Sequence, residues 1–333
     1  MPASDLSTPG NDIRSAAIGF LLIPGFALLP YACAVEPLRA ANILSGHTLY
    51  SWHHFAPDGQ PAAASNGVVI AAGALPTGST PRLDALFVCA GGNPATFQDA
   101  TTFARLRWLA RQGVTLGGIS GGAYILARAG LLQRRRFTLH WEHAAAFAEE
   151  FSALDLRRSL FEIDRDRLTC SGGTAALDMM HALIARAHGP DLAAAVSDWF
   201  LQTEIRAGTA PQRLALRDRL GVRSAALLRA LAAMEAQVEQ PHSRGELARR
   251  AGVTARQLER LFRRELGRTP GAHYLLLRLE RARQLTRQTD LPLAEIAAAC
   301  GFASLSHFSR SYRARFGAPP RAERFTRRHQ SAA

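Results

Sequence analysis

Apolar residues in the first two hundred positions come in short unbroken runs, each closed by a turn rich in glycine or proline. Ala17-Ile18-Gly19-Phe20-Leu21-Leu22 leads to Pro24-Gly25, and Ala85-Leu86-Phe87-Val88-Cys89 to Ala90-Gly91-Gly92-Asn93-Pro94. Val114-Thr115-Leu116-Gly117-Gly118-Ile119 leads in the same way to Ser120-Gly121-Gly122. Runs this short, without polar alternation, are the pattern of strands covered on both faces. Pro37–Ile43 and Ala123–Ala129 read as helices between them. Alternating strands and helices predict a parallel-sheet α/β sandwich over residues 15–205, behind a loose polar tail, 1–14. Ligands of such sheets bind beyond the carboxyl ends of the strands, where both glycine-rich turns fall.

The pattern changes after Arg206-Ala207-Gly208-Thr209-Ala210-Pro211, which reads as the start of a linker over 206–224. From 225 to 325 the helical period holds, broken by short turns, which predicts an all-α domain. Two stretches of that domain repeat each other. Glu246–Val253 matches Glu295–Phe302 at an offset of 49. An offset of 50 then pairs Leu258 with Phe308, Phe262 with Tyr312, Gly267 with Gly317 and Pro270 with Pro320. Each copy is a short helix closed by glycine, a tight turn and an amphipathic helix ended by glycine and proline, which is helix-turn-helix geometry. Thr254 and Ser304 are placed to cap the second helices, and Phe262, Tyr312 and Phe316 to pack them.

Charge sharpens this division. Residues 1–211 hold 16 arginines against 17 acids, whereas residues 212–333 hold 24 against 10, and the chain has no lysine. The excess of a chain of net charge +13 is therefore C-terminal, as expected of a domain that binds a polyanion. Cys33, Cys89, Cys170 and Cys300 are far apart and form no CxxC pair, which predicts reduced thiols rather than a disulfide frame or a metal site. The polar start and the absence of a long apolar run predict a cytoplasmic protein with no membrane partner.

Gly118-Ile119-Ser120-Gly121-Gly122 fits the G-x-S-x-G elbow that presents a nucleophilic serine. A hydrolase also needs an acid and then a histidine downstream. His140 and His143 follow Ser120 too soon to leave room for a separate acid-bearing strand, and His181 and His188 read as helical. A serine-hydrolase or deglycase-like enzyme with an accessory DNA-binding tail is thus the alternative to a ligand-responsive regulator.

The double helix-turn-helix resembles the AraC/XylS family, on Ile296-Ala297, Gly301-Phe302, His307-Phe308-Ser309-Arg310, Phe316-Gly317 and Pro320. The resemblance implies that the second helix of each copy enters the major groove of double-stranded DNA. It places Arg256, Glu259 and Arg260, then Ser306, His307 and Arg310, against base edges, with chemistry suited to guanine and cytosine. Arg263, Arg264, Arg313 and Arg315 then serve as phosphate contacts or solvated charges.

Gly118 to Leu132, with Thr138-Leu139-His140-Trp141 and the Ala90–Asn93 turn, resembles the PfpI-like branch of the class I glutamine amidotransferase superfamily. With Cys170-Ser171-Gly172-Gly173, the whole chain is similar to GlxA-type regulators, which join such a domain to an AraC module. Their enzymatic relatives carry cysteine at the elbow, where this chain has Ser120. The resemblance therefore implies a ligand cradle without catalysis or cofactor, formed by Ser120, Gly121, Gly91, Gly92, Asn93, His140, Trp141 and Glu142. The amides of Gly121 and Gly92 are expected to hold a carboxylate. Tyr31–Asn42, Ala64–Gly67 and Gln202–Gln212 resemble regulators responding to arginine, carnitine or glycine betaine. A zwitterion is the implied effector, its cation facing Trp141, Trp52 or Phe55 and balanced by Glu142 or Glu36. The implied protein is a homodimeric activator of small-molecule catabolism, with RNA polymerase as a candidate partner.

Overall fold

The computed structural model describes residues 14–78 and 82–324. The expected tail, apart from Arg14, and the final residue of the expected 225–325 domain lie outside the described residues. Arg14 itself is anchored, its guanidinium 2.5 Å from Asp84. The chain divides into two compact units. One holds residues up to Pro94, Asp99–His140 and Leu154–Ala210; the other holds Ala95–Gln98, Trp141–Ala153 and the chain from Pro211.

The first unit is built on a seven-stranded sheet of order β5-β2-β1-β6-β7-β9-β8. Its centre is the three apolar runs: β1 (Ala16–Leu22), β6 (Ala85–Ala90) and β7 (Thr115–Ser120), paired in parallel. Every residue of β6 is buried, as a strand covered on both faces requires. Outside them lie β2 (Tyr50–Ala56) and β5 (Gly73–Ala74) on one side, with β9 (Arg167–Cys170) and the antiparallel edge strand β8 (Phe161–Asp164) on the other. A two-residue hairpin, β3 (Ala62–Ala63) with β4 (Val69–Ile70), stands apart.

One face of the sheet is covered by α1 (Leu28–Ser45), α5 (Ala175–His188) and α6 (Pro190–Trp199), which bury Phe20, Phe87, Leu38 and Met179 in one core. Helices α2 (Ala100–Arg111) and α3 (Gly122–Arg128) also belong to this unit, and α3 packs on β6 and β7. The helix expected at Pro37–Ile43 is therefore the second half of a longer one. Pro37 removes one main-chain donor from α1, yet the buried Ala34, Leu38 and Ala41 hold the helix together across it.

The second unit is all-helical: α4 (Ala144–Glu150), α7 (Leu216–Leu220), α8 (Ala225–Ala236), α9 (Arg244–Ala251), α10 (Ala255–Leu266), α11 (Pro270–Gln288), α12 (Leu293–Ala299) and α13 (Leu305–Phe316). It has two cores. Leu231, Leu247, Leu258 and Phe262 centre the first, and Leu279, Ile296, Phe308 and Tyr312 the second.

The expected linker over 206–224 needs correction, because most of it is built into one unit or the other. Arg206 is tied to Asp178, and the Gly208 carbonyl accepts from Leu160 N–H at 2.7 Å, so both stay with the first unit. Beyond the boundary at Ala210 and Pro211, α7 forms and Val222 is wholly buried in the first helical core.

Candidate ligand cradle and nucleic-acid interface

The elbow is a strained turn made possible by glycines. Ser120 ends β7 with φ +58°, a left-handed backbone that serine rarely adopts and that persists only when its surroundings enforce it. A Cβ on Gly122 would stand 1.9 Å from the Val88 carbonyl oxygen, and one on Gly118 2.5 Å from the Ala123 nitrogen. The side-chain-free positions thus let α3 begin hard against β6 and β7. Gly172 approaches from the end of β9 at φ +97°, where a Cβ would lie 3.0 Å from Ser120 Oγ. The Cys170–Gly173 turn therefore walls the serine, which is 7% exposed.

The thiol nearest this turn is Cys170, in register with Ile119. Burial pushes it up to about 12, against the opposing pull of the Gly172 and Ser120 amides. Cys89, in β6, is likewise raised by burial. Neither is a thiolate at neutral pH, and only a thiolate is a competent sulfur nucleophile.

The expected cradle residues separate on inspection. The Gly121 N–H, assigned above to a carboxylate, donates to the Ala90 carbonyl at 3.0 Å. Gly91 is a packing position, since a Cβ there would meet Ala27 N and Gly25 O at 2.9 Å. Gly92, at φ +57°, has open space where a Cβ would be and is exposed beside the half-buried Asn93. His140 ends its stretch of the first unit half-buried, whereas Trp141 and Glu142 belong to the second. The Arg213 guanidinium sits 4.4 Å over the Trp141 ring, so the cation on that aromatic face is the protein's own. Phe55 is buried in the sheet, and Glu36 pairs with Arg39 at 2.5 Å. Of the expected set, Ser120, Gly92, Asn93 and His140 remain as candidates within one unit.

In the second unit the two copies fold alike. Helices α10 and α13 are both 12 residues long and both end on a left-handed glycine, Gly267 and Gly317. Thr254 caps α10 in a reciprocal box with Gln257, and Ser304 caps α13 by accepting from the His307 N–H at 3.3 Å. Leu258 and Phe262 are buried, as are their partners Phe308 and Tyr312. The opposite faces carry Arg256 and Arg260, then Ser306, His307 and Arg310, all exposed. Among the described residues, Arg256, Arg260 and Arg310 make no ion pair. Glu259 is half-buried and engaged by Arg263 at 3.0 Å and Arg244 at 3.4 Å.

The repeat extends further than sequence matching indicated. Arg229 of α8 donates to the Ala251 carbonyl at 2.6 Å. Arg278 of α11 donates to Cys300 and Gly301 carbonyls at 2.7 and 2.6 Å, and lies 4.1 Å over the Phe302 ring. The two arginines stand the same 49 positions apart as Ala251 and Cys300. Each copy is therefore a three-helix unit in which an arginine of the first helix ties down the end of the second. Arg229 is the one arginine of α8 and Arg278 one of four in α11, so neither stood out in the sequence, and only the matching spacing could have revealed the pair.

Comparison with known proteins bears on both units. A family model described as a helix-turn-helix domain matches residues 247–325. The chain is 49% identical over 306 residues to the HTH-type transcriptional regulator CdhR of Pseudomonas aeruginosa, covering 92% of this chain and 90% of that one. It is 45% identical over 304 residues to the HTH-type transcriptional regulator GlxA of Rhizobium meliloti, covering 91% and 94%. A crystal structure of an AraC family transcriptional regulator from Pseudomonas putida superposes with a TM-score of 0.51 at 27% identity, over 56% of this chain and 99% of that one.

Proposed function

Since the chain belongs to the AraC family of HTH-type transcriptional regulators, in the branch carrying a PfpI-like domain, we propose that it is a homodimeric activator that reads two adjacent major grooves and answers to a small zwitterion. One observation carries the DNA reading: two capped helices of equal length, whose exposed faces present Arg256, Arg260 and Arg310 with no ion pair among the described residues. A guanidinium with no internal partner is open to the O6 and N7 of guanine. Arg263 and Arg264, which pair with Glu259 and Glu265, suit phosphate contacts instead. RNA polymerase is the natural second partner of such an activator.

The effector reading rests on the elbow. Ser120 lacks the sulfur of the enzymes it resembles, and its hydroxyl lies in a tight, glycine-walled turn beside buried, protonated thiols. We assign it to binding, with Gly92, Asn93 and His140, and take betaine, carnitine and arginine as the compounds to try. Titration calorimetry on the full chain tests this; absence of heat with all three rejects a zwitterion. Ser120→Ala should change effector affinity and leave DNA binding intact, whereas an enzyme would lose turnover.

Footprinting tests the groove assignment. Arg260→Ala should weaken protection of one groove and Arg310→Ala that of the other, each by about 1–3 kcal/mol for a bidentate base contact. Unchanged sequence preference in both variants would reduce these residues to phosphate contacts.

A further inference from the structure

The first unit carries nearly balanced charge, yet its arginines are not evenly spread. Residues 134–136, 155–158 and 162–167 hold seven arginines against four acids. The fold draws these three strips together. Arg136 N–H donates to Asp164 Oδ2 at 2.8 Å, Arg165 Nη2 to the Arg134 carbonyl at 2.5 Å, and Arg157 N–H to the Phe137 carbonyl at 2.8 Å.

Three of the four acids are consumed within the cluster. Asp155 pairs with Arg157 at 2.7 Å, Asp164 with Arg165 at 3.4 Å, and Asp166 with both Arg135 at 2.8 Å and Arg167 at 2.9 Å. Glu162 is half-buried and lies near Arg157. Arg134, Arg136 and Arg158 are left over: all three are exposed, and none makes an ion pair among the described residues. Two arginines of the cluster also hold left-handed backbone, Arg134 at φ +54° and Arg165 at φ +57°. Glycine or asparagine would meet that geometry at lower cost, so these positions combine strain with retained charge.

Arg134, Arg136 and Arg165 gather at the end of β8 and β9 away from the elbow, where Asp164 pairs in register with Arg167. Arg158 lies toward the other end, two residues before Leu160, whose carbonyl accepts from Ser171 N–H at 2.8 Å. Arg167 opens β9 and pairs in register with Leu116, while Cys170 closes it beside Ile119, roughly 10 Å away along the strand.

We propose that Arg134, Arg136 and Arg158 form a second, sequence-independent contact with the phosphate backbone of double-stranded DNA, made by the ligand-sensing unit itself. The occupant is chosen by charge complementarity: this chain already engages a polyanion, and three unpaired guanidinium groups on a platform of satisfied acids fit a row of phosphates. The inference rests on the reading of the chain as a DNA-binding regulator.

The test is a salt titration with the full-length protein and a fluorescent 60-base-pair duplex of arbitrary sequence, followed by anisotropy. Each phosphate contact contributes about 0.9 to the slope of log affinity against log salt. The Arg134→Ser/Arg136→Ser/Arg158→Ser variant should lower that slope by about two to three and weaken binding about tenfold or more near 100 mM salt. The triple lysine variant should keep the slope, and effector-independent thermal melting should not move in either. An unchanged slope in the serine variant, with the wild type binding normally, overturns this contact alone and points the patch toward an acidic protein. Failure of the wild-type chain to bind the duplex at all would overturn the contact and the DNA-binding reading together.

Discussion

Removing Arg278 should unlock the second helix-turn-helix while leaving the first in place. Its guanidinium donates to two carbonyls at the end of α12 and lies over the Phe302 ring. Hydrogen bonds involving a charged group contribute about 1.5–3 kcal/mol each, and a partly buried cation–π contact about 1–2 kcal/mol. Against this stands the desolvation of the guanidinium, which is strong enough to lower its affinity for a proton. We therefore expect Arg278→Ala to destabilise this copy by about 2–4 kcal/mol, less than the sum of the contacts. Arg229→Ala, which removes a single bond to Ala251, should cost the first copy about 1–2 kcal/mol.

Hydrogen exchange of the full chain reads each copy separately, since local opening is reported amide by amide. The Gly301 and Phe302 N–H groups, which donate to Ala298 and Ala297, should exchange about 30- to 1,000-fold faster in Arg278→Ala. The Gly252 and Val253 amides of the first copy should stay as in the wild type. Protection at Gly301 and Phe302 within threefold of wild type would refute the reasoning. So would equal loosening of both copies, because the two cores would then open as one.

Three further outcomes follow from packing and charge. Gly122→Ala places a methyl group 1.9 Å from the Val88 carbonyl, and should yield insoluble protein or lose about 3 kcal/mol or more of stability by urea melting. Asp178→Asn should cost about 2–3 kcal/mol and raise proteolytic cleavage near 206–212, since the wholly buried carboxylate accepts from Gln202 and from both backbone and side chain of a partly exposed Arg206. Glu265 is held below its ordinary 4.5, chiefly by Arg264 and also by the Arg223 and Ser224 amides. A depressed carboxylate adds stability above the unfolded value and loses it as pH falls through the folded one. Glu265→Gln should accordingly lower stability near neutrality, where the depressed carboxylate contributes in full. It should also flatten the acid limb of a stability–pH profile below about 4.5, so that variant and wild type converge in acid.

The sheet was legible where its strands are covered on both faces, because β1, β6 and β7 show as unbroken apolar runs. Strand β2 was not, since Tyr50, Ser51, Trp52 and His53 carry polar atoms and lie toward the edge. Local pattern cannot report the partners that make such a stretch a strand. The second unit was read closely from sequence because each turn is marked twice, once in each copy. The effector cradle was the least legible. Gly121 looked like a donor and Gly91 like a cradle residue, yet the fold commits the Gly121 amide to the Ala90 carbonyl and needs the Gly91 position for backbone contact with Gly25 and Ala27. Several residues that carried the family resemblance hold the fold instead: Asn42 clamps the backbone of Tyr50 from both sides, and Gln202 and Arg206 serve Asp178. Likeness at such positions records shared architecture and is silent about the ligand.

Helix α11 is at once the exit of the first copy and the scaffold of the second: Tyr274 packs in one core, and Leu279, Ala282 and Leu285 in the other. At 19 residues it is a rod of about 28 Å. On the proposed two-groove reading, the two helix pairs are therefore mounted on a ruler rather than a tether, and the DNA must supply the matching interval of about one helical turn, roughly 34 Å. A promoter whose two half-sites drift apart by a few base pairs would then be out of this protein's reach. Such a site changes by substitution at fixed spacing, or it is lost.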